Sequence, residues 1–591
     1  MRFLILFLFL FSLNTFAQDD IVAREYFKNG EFEKALISYK SLVNKNKNNP
    51  GYIIQLIKTH QQLEQYTDAQ VLIEAQLAKR AYGPYIIELG YNYALQKDTI
   101  NAKLNYDKAI KSIEVNANYA YGIGRRFENL SLLEEAIITY KKAMDLKPEL
   151  NFNMQLARIY GEQGDIEKMF NSYINFSEVN ASYLNNVKRE FSTFISQSDS
   201  NKNNIILRKI LLKKIQTNPD IIWNQMLSWL FIQQKDYKKA FTQEKAIYKR
   251  ELASLDRVEE LALITYANKK YDLAKQMFLF IIENTQDIDT KISAHYNNLK
   301  IETELATKKD YPSINKKYLN TIKEFGRFSN TLDIQIAYAH FLAFNENKTK
   351  EAISFLKESL KLNLTTFNLA KIKLELGDIL VLEEKFNEAL IYYTQIQRSL
   401  KNSTLSQEAR FKVAKTSYYK GDFKWAESQL KILKSSTSQL TANDALDLKL
   451  LISDNKLDDS LQVALKSYAK ADLLAFQNRK NEAISILETI LNNHKTEAII
   501  PQTLLKQGQL FEDIQEFEKA KNNYETLIKN YKDGILIDDA LYALAELYAN
   551  RLALPEKAKK LYEAIVFNHA DSIYFVEARK KFRALRGDAI N

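Results

Sequence analysis

A pair of small residues twelve positions apart recurs along this chain, and a chain built on such a repeat has few folds open to it. The pairs are Ala23/Ala35, Gly90/Ala102, Gly124/Ala136, Ala262/Ala274, Gly377/Ala389, Ala414/Ala426, Ala471/Ala483 and Gly508/Ala520. Ala545/Ala558 repeats the pattern with one more residue, and Ala157/Met169 keeps the spacing with a larger second member. In most units a large residue follows the second alanine at the fourth position and an apolar one at the seventh. Examples are Tyr106 and Ala109, Tyr140 and Ala143, Phe278 and Ile281, Tyr393 and Ile396, Tyr524 and Leu527, and Tyr562 and Ile565. Offsets of four and seven lie on one helical face. A small residue on each of two helices lets their backbones approach, and the large residues fill the space on either side. Turn signals such as Asn29-Gly30, Gly164-Asp165 and Gly421-Asp422 fall between the members of a pair, and Pro148 ends a second helix. Each unit is expected to be a helix hairpin whose apolar surface is covered only when neighbours stack.

Composition agrees with this reading. The 591 residues include only 14 glycines and 7 prolines, fewer than loop-rich β folds or phosphate-loop enzymes need, against 34 tyrosines and 32 phenylalanines for packing. The expected fold class is all-α, an α-solenoid of stacked helix hairpins without β-sheet.

Gly124, Phe127, Ala136, Tyr140, Ala143 and Pro148 together resemble the tetratricopeptide repeat (TPR) pattern. The steps from residue 90 to 124 and from 124 to 157 are 34 and 33 residues, near the ~34 of that family. The resemblance covers 23–176 and 331–566. Farther along, the steps from 377 to 414, 471 to 508 and 508 to 545 are 37 residues. With the segments Tyr524–Leu541 and Phe567–Ala578, they are similar to the TPR subfamily of outer-membrane assembly lipoproteins and Tol–Pal accessory proteins. Two stretches depart from the pattern. Residues 177–222 hold the polar run Ser196–Asn204 and the basic helix Ile205–Gln216, and 284–335 hold Tyr311-Pro312 and Gly326. Both read as degenerate helical repeats. The organisation expected is a signal peptide at 1–17, a first TPR array at 18–176, divergent helical repeats at 177–335, a second TPR array at 336–566, and a cap helix within 567–591.

Arg2, the apolar run Phe3–Leu13 and the small residues Thr15 and Ala17 are the marks of a secretory signal. The run is about a dozen residues, short of the roughly 20 that span a bilayer. The absence of cysteine tilts an exported chain toward a bacterial periplasm, and Gln18 after the cut leaves no thiol for a lipid anchor. A soluble periplasmic protein without a transmembrane span is expected. The formal charge of +10 is spread among interspersed Lys and Glu. Nucleic acid is not an expected partner of an exported protein, and weak attraction to anionic envelope polymers stays open.

No catalytic constellation is present. His60, His295, His340, His494 and His569 have no metal-binding spacing among them. Gly122-Ile123-Gly124 lacks the third glycine and preceding strand of a phosphate loop. Neither an enzyme, a metal nor a cofactor is expected. Arg586-Gly587-Asp588 spells an adhesion tripeptide, read as accidental.

The family resemblance implies a groove lined by the first helix of each unit. The clamp by which some TPR modules hold a peptide carboxylate is absent, because its opening sites carry Ile87/Tyr91, Leu374/Asp378 and Leu505/Gln509. Instead, Tyr121, Phe411, Tyr468 and Tyr542 share one equivalent site, and Arg125 and Arg158 share another in adjacent units. These six are the candidate groove residues, suited to an extended peptide bearing an acidic group. The function expected is an exported TPR scaffold that binds other envelope proteins or extended peptide segments in assembly or secretion. The alternative is a polysaccharide- or peptidoglycan-associated binding protein.

Overall fold

The computed structural model describes residues 19–80, 82–252, 254–433, 439–456 and 462–588. The signal-peptide reading at 1–17 lies outside them. Among the described residues the chain is helical and no strand occurs. Two compact units divide between Gln243 and Glu244.

In the first unit the hairpins include Pro50–Gln62 with Tyr66–Lys79, Gly83–Leu95 with Thr99–Lys111, Ala120–Asn129 with Leu133–Leu146, and Asn153–Glu162 with Ile166–Val179. The divergent stretch that follows is also helical, as Leu184–Ser192 and Lys202–Thr217. In the second unit the hairpins include Thr366–Leu382 with Phe386–Ser399, Thr404–Tyr419 with Phe423–Leu433, Val463–Phe476 with Lys480–Asn493, Ile500–Asp513 with Phe517–Asn530, and Ile537–Asn550 with Pro555–Asn568. Within each unit first helices also touch: Pro50–Gln62 meets Gly83–Leu95, which meets Ala120–Asn129, and Thr404–Tyr419 meets both Thr366–Leu382 and Val463–Phe476.

One turn closes the hairpins. Seven residues after the small residue of the first helix, the backbone enters the left-handed region, at Lys97, Ser131, Gly164, Glu384, Gly421, Asn478 and Gln515 among others. The next amide then bonds back to a carbonyl five residues earlier, as Leu132 does to Phe127 and Glu516 to Phe511. This satisfies carbonyls left open at the helix end. Glycine takes that conformation freely at 164 and 421, whereas Ser131 and Glu384 hold it against their own preference. The same turn identifies two hairpins whose pairs are less plain in sequence. Ser228/Ala240 has Lys235 at the left-handed position, and Ala339/Ala352, thirteen apart, has Asn347 there. The extra residue of the latter is absorbed where the helix widens into a π turn at Phe341–Asn345.

The small residue makes room for a ring as well as for the partner helix that the spacing suggests. A Cβ on Gly90 would sit 2.6 Å from the ring of Tyr106, and one on Gly508 would sit 2.5 Å from the ring of Tyr524. Gly124 faces Tyr140 and Gly377 faces Tyr393 in the same way. The first-helix glycine therefore makes room for the tyrosine sixteen residues later, and the second-helix alanine lets the two backbones close around that ring. Apart from Tyr106, these tyrosines, and Tyr562 of the Ala545 unit, bring their hydroxyls to carboxylates on the first helix. Tyr393 donates to Asp378 at 2.6 Å, Tyr524 donates to Glu512 at 2.6 Å, Tyr140 donates to Glu128, and Tyr562 donates to Glu546.

The second unit holds one break in the alternation. From Ala414 to Ala471 is 57 residues instead of 37. The surplus contains an additional helix, Gln439–Asn455, which packs on Phe423–Leu433 and also touches Thr404–Tyr419.

Candidate functional site

On each first helix the small residue faces the partner helix. The residue after it and the residue three before it therefore sit together, one turn apart, on the face that the hairpin leaves open. In the first unit these places hold Arg24, Lys58, Tyr91, Arg125 and Arg158, and Asp20, Ile54, Ile87, Tyr121 and Met154, with Arg24 and Asp20 paired to each other. In the second they hold Asp378, Lys415, Asp472, Gln509 and Glu546, and Leu374, Phe411, Tyr468, Leu505 and Tyr542.

From Lys58 onward the first-unit row is cationic and thinly compensated. Arg125 is exposed and donates to the Tyr121 hydroxyl at 2.8 Å, with its guanidinium 6.0 Å from that ring. No carboxylate pairs with it among the described residues. Arg158 has a single distant partner, Glu128 at 4.0 Å, which also accepts from Tyr140. Lys58 belongs to the same row, one unit before Tyr91. It is half-buried, and burial together with the charge of Arg126 pushes its ammonium down to about 8. Arg126 points inward, where it forms a buried ion pair with Glu88 of the preceding first helix. Burial lowers the Arg126 guanidinium to about 10. One carboxylate thus stands against the two cations Lys58 and Arg126.

The second-unit row is interlocked. Lys412 pairs with Asp378 at 2.6 Å. Asp472 is buried and takes two lysines from neighbouring first helices, Lys415 at 2.5 Å and Lys506 at 2.8 Å. Burial alone drives the Asp472 carboxyl up, but the two ammonium groups more than reverse this and bring it down to about 2. Lys581 from the last helix pairs with Glu546. Each charge at the open face thereby holds one hairpin to the next.

The four aromatic candidates fall in different settings. Tyr121 is exposed beside Arg125. Phe411 is half-buried on the wall of a cavity of about 600 Å³. Tyr468 is only 8% exposed, and its hydroxyl approaches the Gln502 carbonyl at 3.4 Å. Tyr542 stacks on Tyr574 with centroids 4.3 Å apart and lies under the Lys581 ammonium. Tyr121 and Arg125 share one first helix and Arg158 is on the next, all in the first unit, whereas Phe411, Tyr468 and Tyr542 belong to the other. Elsewhere, Arg586 and Asp588 of the Arg-Gly-Asp tripeptide pair with each other. Among the described residues no cluster of His, Cys, Asp or Glu could hold a metal ion, and no helix is long and apolar enough to cross a membrane.

Lys58 was hidden from the sequence reading because Ile57, not a small residue, opens its unit. Counting 33 residues back from Tyr91 would have found it. Residues 502–534 match the tetratricopeptide repeat family, and this match covers the hairpin built on Gly508 and Tyr524. No curated protein matches the chain in sequence. Among solved structures, that of Naa15/Naa10 bound to HypK-THB aligns at 10% identity, covering 97% of this chain and 96% of that one, with a TM-score of 0.28. The APC/C hetero-tetramer Cut9–Hcn1 aligns at 12% identity, covering 95% of each chain, with a TM-score of 0.24.

Proposed function

We propose that this chain is an exported, non-catalytic scaffold of the bacterial cell envelope. In this reading the first-helix face of its first unit holds extended, acidic segments of partner proteins during assembly or secretion. The observation that carries the proposal is the row Lys58, Arg125 and Arg158. Three cations at equivalent places on one unit's first helices have among them a single carboxylate, at 4.0 Å from one of them. Isolated surface charges contribute little to stability, and a half-buried lysine pushed down to about 8 costs stability. Such a row is better explained by a ligand than by the fold. Planar guanidinium groups one repeat apart fit carboxylates spaced along an extended chain. Tyr121 adds an apolar wall that is already oriented by Arg125. The envelope setting is supported by the signal-like segment at 1–17 and the lack of cysteine.

A stacking platform for sugars would need a run of open aromatic faces, and Tyr468 and Tyr542 are taken up by packing. The protein-binding reading is favoured for that reason. The test is fluorescence anisotropy with a labelled extended peptide alternating Glu and Leu, against its Gln analogue. The Glu peptide should bind in a salt-sensitive way, and Arg125→Ala with Arg158→Ala should abolish the difference between the peptides. Equal binding of both peptides by the unaltered chain would refute the site. Fractionation of the native cells tests the envelope setting separately.

A further inference from the structure

The cavity beside Phe411 is a second site with the opposite charge preference. It lies wholly within the second unit and encloses about 600 Å³, in the range of cavities that hold small ligands or peptide side chains. Its walls come from three first helices, Thr366–Leu382, Thr404–Tyr419 and Val463–Phe476, from Tyr393 on the second helix Phe386–Ser399, and from the additional helix Gln439–Asn455. The apolar part is Val381, Leu405, Phe411, Tyr419 and Phe476, with the rings of Tyr419 and Phe476 6.1 Å apart.

The charges that line it do not cancel. Lys412 is committed to Asp378 at 2.6 Å, and Lys415 is committed to Asp472, outside the lining, at 2.5 Å. Two carboxylates remain, Glu408 and Asp444. Neither makes a hydrogen bond or ion pair among the described residues. Glu408 is on the same helix face as Leu405 and Phe411, three residues from each. Asp444 is exposed at the rim, on the additional helix. Burial raises the Glu408 carboxyl against the opposing pull of the Lys412 ammonium, which is itself held by Asp378, so this carboxylate is poorly solvated and gains from a further cation placed beside it.

We infer that this cavity takes a lysine or arginine side chain of an extended peptide, with the aliphatic stem against Leu405 and Phe411 and the cationic head between Glu408 and Asp444. Long basic side chains combine an apolar stem with a charged tip, which is the combination that these walls present. The additional helix has a use in this arrangement, since it brings Asp444 and Thr441 to a cavity that the regular repeat would leave without them. The inference rests on the reading of this chain as a peptide-binding scaffold, but it concerns a different unit and the opposite charge.

The experiment uses the full chain and a fluorescein-labelled, end-blocked peptide with one arginine between two leucines in a Gly-Ser background. Glutamine and glutamate analogues serve as controls, with anisotropy as readout. The arginine peptide should bind at least about tenfold more tightly than the glutamine peptide, a difference of about 1.4 kcal/mol. Glu408→Gln with Asp444→Asn should remove that preference, and Arg125→Ala with Arg158→Ala should leave it intact. If the double carboxylate variant does not fold, Asp444→Lys at the exposed rim should still weaken arginine binding at least threefold. Equal binding of the arginine and glutamine peptides, tighter binding of the glutamate peptide, or an arginine preference that survives these substitutions overturns the inference. Loss of the arginine preference in the Arg125/Arg158 variant also overturns it, by moving the site to the first unit.

Discussion

The first and second units put charge at the same helical positions and use it in opposite ways. In the second, Lys412, Lys415, Lys506 and Lys581 each meet a carboxylate on another helix, so the open face is stitched across repeats. In the first, only Arg24 is paired closely, with Asp20 of its own helix; Arg125 turns to a neutral hydroxyl, Arg158 has a partner only at 4.0 Å, and Lys58 has none among the described residues. A face whose charges bind each other is already satisfied, and a face whose charges lack partners is available to a ligand. Repeat position alone therefore does not mark a binding residue; what decides is whether the neighbouring repeat supplies the counter-charge.

The largest effect should come from what the two units share. Gly124→Leu in the first and Gly377→Leu in the second both drive a side chain into a tyrosine ring. Each should cost up to about 3 kcal/mol in denaturant unfolding. An effect at only one of the two would show that the hairpins are built differently.

Next comes Asp472→Asn, which leaves Lys415 and Lys506 without their carboxylate and should cost about 2 kcal/mol at pH 7. Because the folded state holds this carboxyl at about 2, below its ordinary 3.8, its contribution is complete above about pH 4 and fades as pH falls toward 2. The variant should lose stability less steeply over that interval than the unaltered chain. Identical acid limbs would remove Asp472 from the stitching.

A gain is expected at Lys58. Its folded-state value, about 8 against an ordinary 10.5, makes the charged form unfavourable in the fold at pH 7, a cost relieved as pH rises through 8 toward 10.5. Lys58→Met should stabilise the chain by on the order of 1 kcal/mol at pH 7 while weakening acidic-peptide binding. The smallest stability effect belongs to Arg125→Ala with Arg158→Ala. Melting should stay within experimental error of the unaltered chain, since both side chains are exposed. A clear drop would give them a structural role like that of the second-unit lysines.

Much of this architecture was legible because the hairpin writes itself into local spacing. The small-residue pairs and the trailing tyrosines locate first and second helices from Ala23 to Ala558. What stayed hidden depended on substitutions that keep the geometry and lose the letter. Ser228 fills a small-residue place, and Ala339/Ala352 stretches the spacing by one residue across a π turn. The additional helix Gln439–Asn455 has no pair of its own, and only the 57-residue step from Ala414 to Ala471 betrays it. The candidate aromatic and arginine positions were found by equivalence. Their settings were not, because Tyr468 and Tyr542 are occupied by partners 34 and 32 residues away, Gln502 and Tyr574, which repeat spacing does not name.

The buried tyrosines that bond to first-helix carboxylates have a use at the bench. Burial, and then hydrogen bonding to a carboxylate, holds the phenols of Tyr140, Tyr524 and Tyr562 far above their ordinary 10, and burial with the charge of Asp378 does the same for Tyr393. Their ionisation is strongly disfavoured while the hairpin is shut. In mild alkali each such phenolate, visible by its ultraviolet absorbance, reports that a hairpin has opened. Stacked repeats open in parts rather than all together. Stopped-flow absorbance with single Tyr→Phe replacements would therefore assign each opening event to a place in the chain, giving a clock for local unfolding that needs no added dye.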